Sequence, residues 1–203
     1  MQGRDLSGIH IEGHIKIYDP TTQEVYINKR NAIHYENMSI ALADSIANSG
    51  QGFIYEMVFG NGGTTVDPTG IITYLTPNST GTNAALYNQT YSKVVDDRSV
   101  SNVDPIRNKI ETRHITGVNY TDVFVTCLLD YGEPTGQEAF DNTSDNKSDY
   151  VFDELGLKSY STTGTSRLLT HVIFHPVQKS LNRLIQIDYT VRIQSLTGLS
   201  EVQ

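Results

Sequence analysis

The segment that decides the fold is RLIQIDYTVRIQ, at residues 183–194. Apolar side chains occupy every second position from Ile185 to Ile193, and polar side chains occupy the positions between them. Because successive side chains of a β-strand point to opposite faces, this pattern predicts a strand with one buried face. The same spacing would scatter the apolar side chains around every side of a helix, so it excludes an amphipathic helix.

A lone strand is not stable in water, so the rest of the chain must supply its partners. Residues 8–18 alternate in the same way, and residues 19–23 contain Pro20 and form a turn. Residues 24–28 then return as the second arm of a hairpin. Further strands are predicted at residues 53–59, 106–115, 120–130 and 168–175. Residues 150–157 are interpreted as a short strand or bend, and residues 84–95 are ambiguous, with a strand entering at Tyr91 as one interpretation. Residues 176–182 are predicted to turn the chain into the closing strand.

One segment, residues 31–49, has the spacing of a helix. Asn37 or Ser39 is placed to cap its start, and Gly50 and Gly52 are placed to stop it. Strands joined by turns, with a single helix, predict a mainly β fold: an antiparallel β-sandwich or flattened barrel with one short helix and long loops. We expect residues 1–203 to form a single domain with long loops at about residues 60–83 and 132–149.

The composition restricts the class of protein. The formal net charge is −8, from 15 basic and 23 acidic residues, which argues against binding nucleic acid by neutralising phosphates. The single cysteine, Cys127, lies in an apolar run and is interpreted as a core residue. Neither a secretory leader nor a membrane-spanning apolar run is seen, so we expect synthesis in the cytoplasm.

The histidines are the first candidates for metal ligands. His171 and His175 are four residues apart, as are His10 and His14. Both pairs lie in strand-like segments, where residues four apart are separated by about 13 Å. Neither pair can therefore share one ion, and no metal site is predicted.

Two other patterns resemble catalytic sites only superficially. GNGG at residues 60–63 follows a strand, but it lacks the Gly-Lys-Ser/Thr ending of a phosphate loop and is interpreted as a turn that needs positive φ. Asp153 and Glu154 are adjacent, and on a strand they would face opposite ways, which makes a poor catalytic pair. We therefore expect a protein that is not an enzyme and has no cofactor.

The loop at residues 60–83 is the candidate functional segment, because a loop of this length in a compact domain is usually functional. It holds apolar side chains that a solvated loop would not need. We expect it to contact a partner; the alternative is that it folds back on its own core as an extra strand. The candidate contact residues are Gly60, Asn61, Gly62, Gly63, Val66, Ile71, Ile72 and Leu75.

A resemblance to a known class rests on the order of several short motifs. KRNAI at residues 29–33 follows the first hairpin, and FGNGG at residues 59–63 ends a strand. DELGL at residues 153–157 precedes an apolar strand, Lys179 and the alternating closing strand. In this order the motifs resemble those of structural proteins from the tail, collar and fibre-attachment regions of tailed bacteriophages. The resemblance covers about residues 13–194, and each motif alone is short.

The resemblance implies a non-enzymatic β-sandwich subunit of a tailed-phage virion, assembled in the host cytoplasm. The neck or collar at the head–tail junction is favoured, and the baseplate and the capsid surface stay open. The implied partners are other virion proteins, such as portal, connector, tail or capsid components, together with further copies of the chain. Neither sequence-specific nucleic-acid binding nor membrane binding is implied. The alternative is a carbohydrate- or receptor-binding β-sandwich of a fibre, baseplate or capsid-surface protein.

Overall fold

The computed structural model describes residues 8–135 and 150–196, and within them the expected mainly β fold class is confirmed. These residues contain one helix, α1 (Tyr35–Ile46). The strands are β1 (Gly8–Tyr18), β2 (Val25–Ile33), β3 (Ile54–Gly60), β4 (Thr64–Val66), β5 (Ile72–Tyr74), β6 (Gln89–Val94), β7 (Lys109–His114), β8 (Tyr120–Leu129), β9 (Val151–Ser159), β10 (Thr170–Gln178) and β11 (Ile185–Leu196). Most of the long loop expected at residues 132–149 lies outside the described residues.

The large sheet is antiparallel and has the strand order β6-β3-β9-β10-β2-β1-β11-β8-β7. Its two halves are joined only at β2 and β10, through the pairs Thr170–Ile33 and His171–Ala32. The sheet curls so that the apolar faces of both halves form one core, as in a sandwich or half-barrel. A second sheet, β4-β5, stands apart as a short hairpin.

The closing strand β11 alternates as the sequence predicted. Ile185, Ile187, Tyr189 and Val191 are buried, and the polar residues between them are partly exposed. The strand pairs with β1 along the whole of β1 and with β8 on its other side. Its buried side chains contact both halves of the sheet, which explains why this segment decides the fold.

The helix starts and ends differently from the prediction. Residues 31–33 belong to β2, and the cap is His34, whose Nδ1 accepts a hydrogen bond from the Asn37 amide at 3.1 Å. The predicted caps are wrong: Asn37 is buried inside the helix and donates to the Leu168 carbonyl at 2.9 Å. The helix ends at Ile46, before the predicted stop, and Asn48 then adopts a φ of 51°.

The predicted turn at residues 176–182 begins too early. β10 continues to Gln178, and its pairing with β9 shifts register between Ile173 and Val177. This irregularity contains Pro176, which has no N–H to donate to a neighbouring strand. The shift faces β9 at Asp153, which takes part in the site described next.

Candidate functional site

The candidate segment at residues 60–83 forms a hairpin rather than an irregular loop. β4 pairs with β5 in an antiparallel register, with Thr64 opposite Tyr74 and Val66 opposite Ile72. The turn between them is built by Asp67, whose Oδ1 accepts the amides of Thr69 at 2.8 Å and Ile71 at 3.0 Å. The polar loop expected here is therefore an ordered β4–β5 hairpin.

The predicted apolar contact residues stay at the hairpin surface, whereas Gly60, Asn61 and Gly63 are buried at its base. Val66, Ile71 and Leu75 are exposed, Ile71 by 63%, and Ile72 is half-buried. Val66 and Ile72 lie in strands, as the fold-back alternative requires, but none of the four belongs to either apolar core cluster of the described residues. Tyr74, which the sequence did not single out, is also half exposed on β5. Contact with a partner stays a prediction.

Two buried carboxylates on β9 hold the base of the hairpin. Asp153 accepts the amides of Gly63 and Thr64, each at 2.8 Å, and also the Thr64 hydroxyl. Glu154 Oε1 accepts the Gly62 amide at 3.1 Å. The two acids were expected to face opposite ways, yet both bind consecutive residues of one segment, at the point where β9 and β10 shift register.

Glu154 is fully buried, and four N–H donors converge on its carboxylate. Oε1 accepts the amides of Gly62 and Asn88, the latter at 2.8 Å. Oε2 accepts the Tyr87 amide and His171 Nε2, both at 2.9 Å. A carboxylate offers about four acceptor positions, so Glu154 is saturated.

His171 is neutral in this arrangement. Its Nδ1 lies 2.7 Å from the Asn78 amide, which can only donate, so Nδ1 must accept. The ring proton is therefore on Nε2, where it is donated to Glu154. His171 therefore donates a hydrogen bond to the Glu154 carboxylate rather than forming an ion pair with it. Through its two ring nitrogens, His171 links Asn78 to Glu154. We call Asp153, Glu154, His171 and the backbone groups they bind the carboxylate junction.

The glycines at the hairpin base are required by close packing. A Cβ on Gly60 would lie 2.4 Å from the Asn88 carbonyl oxygen and 2.6 Å from Glu154 Oε1, and one on Gly62 would lie 2.7 Å from the Asn88 amide nitrogen. The predicted reason was wrong, because none of Gly60, Gly62 and Gly63 has a positive φ. Any larger residue would push the backbone away from the carboxylates.

Burial and hydrogen bonding affect the two carboxylates differently. Burial raises the pKa of Asp153, and the donors of Thr64 and Gly63 only partly oppose that effect. Burial also acts to raise the pKa of Glu154, but the hydrogen bonds from His171 and from the three amides outweigh it, and the pKa lies below its ordinary value. Hydrogen bonding therefore favours the ionised form of Glu154 more strongly than that of Asp153.

The carboxylate junction has the chemistry of a structural clamp. Its carboxylates and imidazole are buried and already hydrogen-bonded, and each bond runs to the protein itself. Within the described part of the chain, no cluster of three or more His, Cys, Asp or Glu side chains could hold a metal ion. His175, the other member of one histidine pair, instead contacts the Tyr74 hydroxyl at 3.2 Å.

The hairpin and its flanks are almost free of charge. Between Glu56 and Lys93 the sequence has a single charged residue, Asp67. Charged residues make up 19% of the chain, so a stretch of this length would ordinarily hold about seven. The carboxylate of Asp67 is occupied by its own turn. The hairpin therefore carries one charge, the exposed carboxylate of Asp67, and its other exposed side chains are apolar or neutral, on a protein of net charge −8.

Two of the motifs that carry the resemblance meet at this junction. Gly60 of the FGNGG motif pairs with Glu154 of the DELGL motif, although they are far apart in the chain. Asn31 of the KRNAI motif lies elsewhere, against Gly13 and the Tyr189 hydroxyl in the other half of the sheet. Lys179, the remaining element, is fully buried. The motifs therefore correspond to tightly packed positions of the fold.

No helix in residues 8–135 or 150–196 combines the length and the apolar character needed to span a bilayer. Comparisons of the chain with models of protein families, with curated proteins and with solved structures found no match.

Proposed function

We propose that the chain is a non-enzymatic structural subunit of a tailed-phage virion that acts by protein–protein assembly, with the neck or collar at the head–tail junction as its favoured place. The proposed partners are other virion proteins, such as portal, connector, tail or capsid components, and further copies of the chain. This role rests on the order of the motifs and on the surface formed by the β4–β5 hairpin.

The observation that carries the proposal is a hydrogen-bonded hairpin that presents apolar side chains on a surface with a single charge, that of Asp67. Val66, Ile71 and Leu75 are exposed, and the junction of Asp153 and Glu154 fixes the base beneath them. A surface that is ordered before binding loses less entropy when a partner covers it. Exposed apolar side chains on such a surface are typical of protein interaction sites.

The alternative, a carbohydrate-binding sheet, would use exposed aromatic faces. On the outer face of β8 the two candidates are Tyr120 and Phe124. The guanidinium of Arg192 lies 3.8 Å from the centre of the Tyr120 ring, and that of Arg113 lies 4.1 Å from the centre of the Phe124 ring. Each of these rings is only partly exposed and already has a cation on one face, which makes β8 a poor surface for stacking sugars.

The test is to quantify the chain in particles of the phage that encodes it. Particles purified by density gradient should contain the protein at a fixed copy number, whereas a phage enzyme from the same lysate should be lost. Particles carrying Ile71→Asp should incorporate at least tenfold less of it, because a charge would be buried at the contact. Val25→Asp, a matched change at another exposed apolar residue, should incorporate normally. Absence of the wild-type chain from particles would refute the proposal.

A further inference from the structure

We propose that Asn61 is a site of deamidation and that the carboxylate junction controls it. While the base of the β4–β5 hairpin is closed, the chain keeps this asparagine. When the base opens, Asn61 converts irreversibly to aspartate or isoaspartate. The inference goes beyond the proposed function and does not depend on it, because it concerns the chemistry of one residue within a single copy.

The sequence at Asn61 is of the kind that deamidates fastest. In this reaction the backbone nitrogen of the following residue attacks the side-chain carbonyl carbon of the asparagine. Gly62 follows Asn61 and has no Cβ to hinder that approach. No other asparagine among the 203 residues is followed by glycine. Asn61 is therefore the asparagine whose chemical lifetime depends most on the structure around it.

The conversion takes two balanced steps. The Gly62 nitrogen loses its proton to hydroxide and forms a bond to Asn61 Cγ. The bond between Cγ and Nδ2 breaks, and Nδ2 takes a proton from water and leaves as ammonia, so that a succinimide ring remains. Water then adds to one of the two ring carbonyls, and the ring opens to aspartate or isoaspartate. Water is the only co-reactant, and nothing is oxidised or reduced.

The closed junction opposes the first step at the attacking nitrogen. The Gly62 amide donates a hydrogen bond to Glu154 Oε1 at 3.1 Å, and this bond stabilises the protonated amide. The negative charge of the carboxylate also disfavours a second negative charge on that nitrogen. A carboxylate is far too weak a base to take the proton from an amide. Glu154 therefore holds the nucleophile in its unreactive form.

Asn61 itself is held at two points. Its amide donates to the Asn88 carbonyl at 3.1 Å, and its Oδ1 accepts the Asn88 side chain at 2.6 Å. Asn61 is only 7% exposed, which limits the access of hydroxide and water. Cyclisation therefore requires the segment at Asn61 and Gly62 to leave Asn88 and Glu154 first, which is a local opening of the fold.

Either product opposes closure of the base. Isoaspartate adds one methylene to the backbone before Gly62, which displaces that amide from Glu154. Aspartate adds a negative charge close to Glu154, because Asn88 binds both positions: its side chain binds residue 61, and its amide donates to Glu154 Oε1 at 2.8 Å. Two like charges in a shielded site disfavour each other. Deamidation therefore makes an opening of the hairpin base permanent.

Peptide mapping by mass spectrometry measures the conversion. The full-length chain is incubated in mildly alkaline buffer, and the loss of asparagine at position 61 is followed over time, with and without enough urea to unfold the protein. The folded chain should convert at least about tenfold more slowly than the unfolded chain, because only its open fraction reacts. Equal rates, a faster rate in the folded chain, or an unfolded chain that keeps Asn61 would each overturn the proposal.

A pair of variants tests whether the contacts of Asn61 provide the protection. Asn88→Ala removes the side chain that binds Asn61 Oδ1, and it should raise the rate in the folded chain about threefold or more. Asn83→Ala, at another exposed asparagine of the same segment, should leave the rate unchanged. The rate at Asn48, which is exposed and followed by Ser49, should be the same in all three folded chains. An unchanged rate at Asn61 in Asn88→Ala would refute the role of these contacts.

Asn61→Asp supplies one product directly and tests its effect on the junction. Hydrogen exchange at the Gly62 amide should be faster in Asn61→Asp than in the wild type, because the added charge opposes closure. Unchanged exchange would refute that consequence. The comparison of the folded and unfolded wild type needs no substitution, so it decides the proposal even where a variant fails to fold.

Discussion

Replacing Glu154 by glutamine tests whether the carboxylate junction holds the hairpin. Glutamine has nearly the same shape, but one of its two terminal atoms is an NH₂ donor. If that group takes the place of Oε1, it meets the amides of Gly62 and Asn88. If it takes the place of Oε2, it meets the Tyr87 amide and His171 Nε2. Either orientation puts donors against donors.

The histidine cannot relieve this conflict. Moving its proton to Nδ1 would free Nε2 to accept, but the Nδ1 proton would then face the Asn78 amide at 2.7 Å. Two buried or partly buried donors are left unsatisfied in each arrangement, at about 1–3 kcal/mol each. We therefore expect Glu154→Gln to lower the free energy of unfolding by about 4 kcal/mol, a large part of the total for a typical domain.

Urea unfolding, followed by circular dichroism, measures this loss. Glu56→Gln makes the same chemical change at a partly exposed residue of β3 and should cost under about 1 kcal/mol. Hydrogen exchange at the amides of Gly62 and Asn88 should accelerate in Glu154→Gln, because both lose their acceptor. Equal stability of Glu154→Gln and Glu56→Gln would refute the reasoning.

Three further measurements address the core and the titrating groups. Ile187→Asp should prevent folding or lower the free energy of unfolding by over about 4 kcal/mol, because Ile187 is 1% exposed. Gln194→Asp, on the same strand, should lower it by under about 1 kcal/mol. Equal losses in urea unfolding would contradict the strand register. Burial lowers the pKa of Lys179 from 10.5 to about 8, so the charge of Lys179 opposes folding below pH 8 and this effect fades as the pH rises. Lys179→Met should therefore raise the free energy of unfolding by up to about 3 kcal/mol at pH 7 and by less at pH 10. Lys158→Met should leave it unchanged, and an equally small effect of Lys179→Met would contradict the expectation. The pKa of Glu154 is lowered on folding, so its contribution to stability is complete above the ordinary value of 4.5 and is lost as the pH falls through the folded value. In acid titrations monitored by thermal unfolding, stability should therefore fall less steeply for Glu154→Gln than for the wild type. Parallel curves would contradict the assignment.

The sequence predicted best those elements whose signal is local and periodic. β1 and β11 each alternate over many residues, and both lie where the pattern placed them. The central strand β9 was interpreted only as a short strand or bend, because Asp153 and Glu154 interrupt its apolar run. The helix start was misplaced because His34 caps it, whereas capping is usually expected of Ser, Thr, Asp or Asn.

The hairpin and the carboxylate junction could not be found in the same way. β4 and β5 have three residues each, which is too short for an alternation to be recognised. The partners of Asp153 and Glu154 are mostly backbone amides far away in the chain, and a backbone amide has no sequence signature. The Gly-rich segment and the adjacent acids are each visible in the sequence, but one sequence contains nothing to show that they meet.

The carboxylate junction explains why the protein keeps two acids in its interior. Burying a charge is costly, and an apolar residue at 153 or 154 would avoid that cost. An apolar residue, however, could not accept the amides at residues 62–64 and 87–88, which lie just after β3 and just before β6, and these partly or fully buried amides would lose their acceptors. The acids thus fix both ends of the segment that contains the hairpin. Because the exposed side chains of the hairpin add nothing to the core, the hairpin depends on the carboxylate junction for its position. That arrangement favours a hairpin held ready for contact with a partner.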